Sequence, residues 1–374
     1  MNDLIQDIQR LESAVINLTE GASDEKRMAI YSLESMIAEK KAVVEQFEKE
    51  FAKYTDSKYG IVMANGSLAL ESAYKSIGLT SGDEIITTPR TFIATSSSAV
   101  LLGAKPVFVD VLSDTWCINP AKIEAAITPK TKAIIAVHLY GNPYKVSEIN
   151  YISKKYQIPV VEDCAEALGS TYEDKFCGTF GDFSILSFNG NKIITTSGGG
   201  ALISKSERMK NKAIFLSTQA RDPAEHYEHS EIGYNYRLSN ICAGIGRGQL
   251  KVIEERVQQR TLINEKYRKF FSKFEHVNVF KSSLKNTKSN NWLTTIILDS
   301  KIKIHDVIDV LKQENIECRP LWKPMHLQPL YSKYLKYESG VSENLFNHGL
   351  CLPSGSNITE KQIERIFITL EKIF

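Results

Sequence analysis

Ile158-Pro-Val-Val-Glu-Asp163 and, a little further on, Phe183-Ser-Ile-Leu-Ser-Phe188 decide how this chain is read. Each is a short apolar run of strand length, bounded by turn-forming residues, as expected of strands covered on both faces. The first ends in a carboxylate, Asp163. The second leads through Asn189-Gly-Asn191 to Lys192 and then to the flexible Thr195-Thr-Ser-Gly-Gly-Gly200. A lysine and an aspartate at neighbouring strand ends are what pyridoxal phosphate chemistry requires. The amine forms a Schiff base with the aldehyde, and the carboxylate keeps the pyridine nitrogen protonated so that the ring accepts electrons. An ordinary solvated loop lysine is the alternative, and Lys192 alone does not separate the two.

Working outward, strand-like runs at 59–63, 84–88, 106–111, 133–137, 159–162, 183–187 and 201–204 alternate with helical stretches such as 67–77 and 146–156. Buried strands joined by crossover helices predict an α/β fold with a mainly parallel sheet. Ligands in such sheets bind beyond the carboxyl ends of the strands. Asn65-Gly66-Ser67, Asp163 and Lys192 all stand just past a strand, so one mouth could hold all three. After about residue 250 the pattern changes to a helix over 250–274, a polar loop near 282–291, and strand 292–298. Helix 304–314, strand 317–321 and a final helix over 359–373 follow, which together read as a smaller α+β domain. The predicted divisions are an N-terminal helical segment 1–42, a large domain 43–250 and a small domain 251–374. Leu4, Ile5, Ile8, Leu11, Val15 and Leu18 recur at helical spacing, Ser23 is an N-cap candidate, and Val43, Val44, Phe47, Phe51 and Tyr54 form a second apolar stripe.

The 374 residues, 43% hydrophobic and 24% charged with a formal net charge of +2, give no reason to expect nucleic acid or a membrane surface. The six cysteines show no metal-type spacing, so no metal site is expected and reduced thiols of a cytoplasmic protein fit best. No secretory leader is recognisable, and no apolar run approaches the roughly 20 residues that span a bilayer.

Asn65-Gly66-Ser67 between a strand and a helix is a phosphate-binding candidate, because glycine admits close approach and the helix start offers free N–H groups. The same residues also serve as an ordinary turn and N-cap. Ser187 could add a hydroxyl to that phosphate or simply bond backbone. Phe92 could lie on an aromatic cofactor or be plain core.

Asn65-Gly-Ser-Leu-Ala-Leu70, Thr91-Phe-Ile-Ala-Thr95, Gly103-Ala-Lys-Pro-Val-Phe-Val-Asp110, Val161-Glu-Asp-Cys-Ala-Glu-Ala-Leu-Gly169, Ser187-Phe-Asn-Gly-Asn-Lys192 and Gly233-Tyr-Asn-Tyr-Arg237 occur in order. In that order and spacing they resemble the DegT/DnrJ/EryC1/StrS nucleotide-sugar aminotransferases, a group of fold-type I pyridoxal phosphate enzymes. The resemblance runs from about Val43 to the C-terminus and implies the following roles. Lys192 bonds the cofactor and moves the proton between donor and acceptor carbons, and Asp163 pairs with the pyridine nitrogen. Phe92 stacks on the ring, while Gly66, Ser67, Leu68 and Ser187 hold the phosphate. Asn235 reaches the phosphate from a partner subunit, which implies a homodimer with shared sites.

The chain departs from the family pattern in three places. Glu166 stands where glutamine is common near the cofactor's phenolic oxygen, and an ionised carboxylate there is unfavourable, so Glu166 is protonated or turned away. Ser197-Gly-Gly-Gly200 replaces the usual Gly-Glu-Gly-Gly. The N-terminal residues lack the usual glycine-bearing arm. The first two departures are similar to the branch that aminates UDP-linked 4-keto-6-deoxy-N-acetylglucosamine on the way to bacillosamine. So are Ser217-Thr-Gln-Ala-Arg221, His226-Tyr-Glu-His229, Arg319-Pro-Leu-Trp-Lys-Pro-Met-His326 and Cys351-Leu-Pro-Ser-Gly355.

The expected activity is therefore amino transfer from L-glutamate to a nucleotide-linked 4-keto-6-deoxy sugar, with Arg319 and His326 on the substrate side. The rivals are a GDP- or dTDP-linked sugar, a dehydratase of the same fold, and a non-catalytic cofactor-binding regulator. The dehydratase goes with loss of the lysine, which is present here. Intact Lys192 and Asp163 and the absence of a basic appendage argue against the regulator.

Overall fold

Alternate side chains of the buried strands go to opposite faces of one large sheet, which is why these runs carry no polar stripe. In strand Tyr59–Met63, Ile61 and Met63 join one apolar cluster while Val62 joins another. In Thr131–Val137, Ala133 and Ile135 separate in the same way from Ile134 and Ala136. Helices cover both faces. Gly66–Ser76, Ile93–Leu101 and Glu207–Ser217 supply Ala69, Ala73, Tyr74, Ala99 and Ala213 to one side. Helix 42–54, Pro120–Ala126 and Val146–Tyr156 supply Phe47, Phe51, Ile123, Ile149 and Ile152 to the other. The computed structural model describes residues 42–374 together with Ser32, so the rest of the expected N-terminal helical segment lies outside the described residues.

The large sheet has eight strands in the order Tyr59–Met63, Gly200–Ser204, Phe183–Ser187, Val160–Asp163, Thr131–Val137, Glu84–Thr87, Lys105–Val109 and Lys336–Tyr337. Gly200–Ser204 runs antiparallel to both its neighbours, and every other pairing is parallel. The carboxyl ends of Tyr59–Met63, Phe183–Ser187 and Val160–Asp163 therefore open on the same side. Lys336–Tyr337, from the stretch that the sequence assigns to the smaller domain, forms the far edge beside Lys105–Val109.

A second, antiparallel sheet orders Val277–Val279, Thr294–Leu298, Gly349–Leu352 and Arg319–Pro320. Helices Ile253–Phe271, Ile304–Gln313 and Glu360–Glu371 close its apolar face with Tyr267, Phe271, Val307, Leu311, Ile366 and Leu370. Two expectations change here. The single helix over 250–274 is instead Asn240–Leu250 followed by Ile253–Phe271. Three glycines weaken the helical signal before residue 250, and Gly246 is needed because a Cβ there would stand 2.5 Å from the Phe47 ring. The strand over 317–321 shrinks to Arg319–Pro320, since Pro320 has no N–H to extend a ladder. Within the polar loop, Thr287–Lys288 pairs with Thr171–Tyr172 and ties the two parts of the chain together. Among the described residues, no helix is long and apolar enough to cross a membrane.

Candidate active site

A cavity of about 1070 Å³ opens between the two sheets, at the carboxyl ends of the parallel strands. Asn65, Gly66, Ser67, Phe92, Asp163, Glu166, Ser187, Lys192 and Arg319 all line it, so most of the residues chosen from sequence are brought together.

Three ionisable groups define its floor. Asp163 is almost fully buried at the end of its strand; its Oδ2 accepts from the Thr95 hydroxyl at 2.6 Å and its Oδ1 from the Ala165 amide at 3.1 Å. Burial pushes its carboxyl up, while those two donors and the Lys192 charge pull it back. Glu166 is equally buried and is pushed up to about 7 by burial, against the pull of Lys192 and of the Tyr140 amide, which donates to Oε2 at 2.5 Å. Lys192 is half-buried, and burial lowers its pKa even though Glu166 and Asp163 both favour the ammonium. Its Nζ lies 4.2 Å from the centroid of the Trp292 ring, a cation–π contact. The cluster holds a lysine that gives up its proton more readily than a free one, beside two acids that hold theirs more tightly.

At the other side of the mouth, helix Gly66–Ser76 starts against the end of strand Phe183–Ser187. A Cβ on Gly66 would lie 3.2 Å from Ser187 Cβ, and one on Gly200 would lie 2.6 Å from the Gly66 amide nitrogen. Glycine at both positions brings the helix start, the Ser187 hydroxyl and the strand end into one small cradle. The helix dipole and the unpaired first amides suit an anion there. Leu68 departs from the expected part, because its amide donates to the Asn65 Oδ1 cap at 3.0 Å. The cradle, the buried carboxylate and the lysine fit the phosphate, ring nitrogen and aldehyde of pyridoxal phosphate.

Phe92 is 57% exposed on the cavity wall, its ring centroid 5.8 Å from that of Trp322. Arg319 is exposed and its guanidinium meets Glu317 Oε1 through Nε at 2.8 Å and Nη2 at 2.5 Å. Asn235 is exposed away from the cavity, its backbone bridging to Thr218. The structure does not bring His326 to the cavity. The short helix Met325–Leu327 turns its ring inward, where Nε2 lies 3.2 Å from Glu343 and 3.4 Å from Glu338.

Sequence reasoning missed Thr95, Tyr140 and Trp292. Thr95 closes the Thr91-Phe-Ile-Ala-Thr95 motif, and its four-residue spacing from Thr91 was the available signal; the two hydroxyls lie 2.6 Å apart. Tyr140 has φ 52° in a turn just before Gly141, which aims its amide at Glu166. Trp292 is held by Asn290, whose Oδ1 accepts from the Trp292 amide at 3.0 Å and whose Nδ2 donates to the Glu166 and Leu168 carbonyls, each at 2.8 Å. No local pattern marks that contact.

Comparison with known proteins agrees with this geometry. EpsN of Bacillus subtilis (strain 168), a provisionally assigned pyridoxal phosphate-dependent aminotransferase, is 44% identical over 342 residues, covering 89% of this chain and 88% of its own. The GDP-perosamine synthase of Escherichia coli O157:H7 is 35% identical, over 90% of this chain and 92% of its own. Among solved structures, an aminotransferase from Psychrobacter cryohalolentis superposes with a TM-score of 0.83 at 29% identity, covering 89% of this chain and 91% of that one. With the family model matching residues 20–371, the chain belongs to the DegT/DnrJ/EryC1/StrS aminotransferase family.

Proposed function

We propose that this pyridoxal phosphate-dependent sugar aminotransferase moves the amino group of L-glutamate onto a nucleotide-linked 4-keto-6-deoxy sugar, of the UDP-linked N-acetylated type. The observation that carries the reading is Lys192 set beside Asp163 and Glu166 on the wall of a large cavity. At about 1070 Å³ the cavity is at the upper end of small-molecule sites and has room for a cofactor and an extended substrate together. The sequence motifs shared with the UDP-sugar branch favour the nucleotide. A GDP-linked ketosugar is the second reading, supported by similarity to the GDP-perosamine synthase.

Asp163 is the partner for the pyridine nitrogen, with Thr95 and Ala165 fixing both carboxylate oxygens so that the charge stays in place. Gly66, Ser67 and Ser187 hold the phosphate at the helix start, and Phe92 offers its ring to one face of the cofactor. When bound, pyridoxal phosphate supplies a ring that takes up the electron pair left as a proton departs from the donor's α-carbon. Lys192 Nζ takes that proton and returns one to the acceptor carbon. Its lowered pKa leaves more of the neutral amine available near neutral pH, as a base requires. The second half repeats these residue motions in reverse with the ketone of the sugar. Asn235, exposed on the Gly233–Arg237 turn, is assigned to the site of a partner subunit in a homodimer. Six free cysteines, four of them buried, suit a reducing compartment such as the cytoplasm.

The test is a panel of UDP-, GDP- and dTDP-linked 4-keto-6-deoxy sugars incubated with the holoenzyme and glutamate, with the amine product read by mass. Turnover confined to the GDP sugar would replace the first reading by the second. No turnover of any ketosugar would remove both.

A further inference from the structure

Arg90 has the largest fully buried side chain among the described residues, with no exposed surface. A buried guanidinium ordinarily sits in a network that satisfies all its donors and its charge. Here Nη1 donates to the Trp322 carbonyl at 3.1 Å, and neither Nε nor Nη2 has a partner among the described residues. The ionisable groups whose charges reach it are Tyr140, Cys351, Asp110 and Glu166. None neutralises it at close range. Asp110 is engaged by the amides of Val111, Ser339 and Ser342 and the hydroxyls of Ser339 and Ser342. Glu166 is turned to the Tyr140 amide, and the Tyr140 hydroxyl accepts from the Trp322 amide at 3.2 Å.

The position of this cation is informative. Thr91, Phe92, Glu166, Trp322 and Cys351 all line the cavity, so Arg90 stands directly behind its wall, and Glu166 feels the charges of both Lys192 and Arg90. In the sheet, Arg90 follows strand Glu84–Thr87, while the phosphate cradle follows Tyr59–Met63 and Phe183–Ser187 on the far side of Val160–Asp163. Three strand spacings, about 14 Å, separate the strand of Ser187 from that of Thr87, so Arg90 is not part of the phosphate cradle. Nε and Nη2 are the two nitrogens along one edge of the guanidinium, which is the edge that grips a carboxylate through two parallel hydrogen bonds.

We propose that Arg90 is the anchor for the α-carboxylate of the amino donor, reached when the Phe92–Trp322 wall gives way. The proposal rests on the reading of the chain as an amino-acid-dependent sugar aminotransferase and names a binding residue for its first half-reaction. An α-amino acid carries its carboxylate one bond from the reacting carbon, close to Lys192 and Glu166. A nucleotide ketosugar carries its charge on a diphosphate several bonds from the ketone. A cation behind the wall, its charge felt at Glu166, therefore meets the donor and not the sugar. Burial lowers the guanidinium's pKa but leaves it charged at neutral pH, so the attraction is always present.

The test compares an α-amino acid with its α-amide, which removes only the carboxylate charge. The pair is made from whichever amino acid the wild-type holoenzyme accepts, so failure of glutamate as donor and failure of Arg90 as anchor are separate results. Wild-type enzyme is expected to convert the free acid at least tenfold better in kcat/KM than the α-amide, read as single-turnover change in cofactor absorbance. In Arg90→Gln that preference should fall to about threefold or less, mainly through a raised KM for the acid. Arg90→Gln slowing acid and amide in equal proportion overturns the proposal, as does a wild-type enzyme indifferent to the amide. Should Arg90→Gln not fold, Arg90→Lys carries the test, since it keeps the charge but loses the fork. It is expected to raise the KM for the acid severalfold more than that for the amide, and equal changes in the two again overturn the anchor.

Discussion

The Thr95 hydroxyl donates to Asp163 Oδ2 at 2.6 Å, from a helix that begins next to the cavity wall. Thr91 stands behind it, its hydroxyl 2.6 Å from that of Thr95, so a two-hydroxyl chain ends on the carboxylate. Without it, a buried Asp163 would keep only the Ala165 amide and its carboxyl would rise further. Thr95→Val keeps the shape and removes the donor. It should retain the cofactor, slow transamination about tenfold, and move the acid limb of the kcat/KM profile to higher pH, as loss of one charge-assisted hydrogen bond implies. An acid limb that stays in place would mean that Thr95 serves packing alone.

Glu166 should impose a pH dependence on the stability of the cofactor-free enzyme. Its folded pKa is raised from the ordinary 4.5 to about 7, so between those values the folded state binds the extra proton and stability falls as pH rises. The shift corresponds to a penalty on the order of 3 kcal/mol, complete above the folded value. Glu166→Gln removes the ionisation and keeps the acceptor for the Tyr140 amide. Its thermal midpoint should exceed that of the wild type by several degrees at pH 8, with the gap closing by pH 5. A gap independent of pH would sink the assignment.

The parallel strands and the placing of Lys192 and Asp163 in one cavity were legible because each rests on local pattern: a run long enough for a strand, leading to a charged residue at a loop. The Lys336–Tyr337 strand was not, because two residues make no pattern and their partner Lys105–Val109 is far away in sequence. Trp292 reads as the first residue of a strand, and contacts distant in sequence, above all its Nε1 donating to the Asn191 carbonyl at 2.8 Å, together with Asn290 at its amide, bring it under Lys192. His326 shows the opposite failure. Its place near Trp322 suggested the mouth, yet one short helical turn rotates it toward Glu343. Arg90 gave no signal either, since an arginine after a strand is ordinarily exposed, and its burial is created by Trp322 and the Met325 amide bonded to the Pro89 carbonyl at 2.8 Å.

Subunit sharing is tested by mixing two inactive variants. Lys192→Ala removes the proposed base and should cost about a thousandfold in turnover. Asn235→Ala should lose much of its cofactor affinity. If Asn235 completes the site of its partner, a hybrid dimer has one site carrying both substitutions and one carrying neither, and activity returns in part. Hybrids shown to form by tagged co-purification, yet inactive, would place Asn235 in its own subunit's site.

Arg319 tests the substrate end. It lines the cavity from strand Arg319–Pro320, and its present partner is Glu317, two residues away, with side chains 79% and 73% exposed. An ion pair so exposed contributes little, so exchanging Glu317 for a diphosphate costs little and leaves a bidentate fork for the new anion. Arg319→Ala should therefore raise the KM for the nucleotide sugar about tenfold while the glutamate half-reaction, followed by cofactor absorbance, changes less than about twofold. Raising salt should weaken nucleotide-sugar binding by the wild type and affect the variant less, because the lost contact is a screened surface charge. Equal damage to both half-reactions would make Arg319 a structural residue and move the diphosphate elsewhere on the cavity wall. The pattern is the mirror image of that expected for Arg90, so the two variants together test whether the cavity has a sugar-nucleotide end and a donor end.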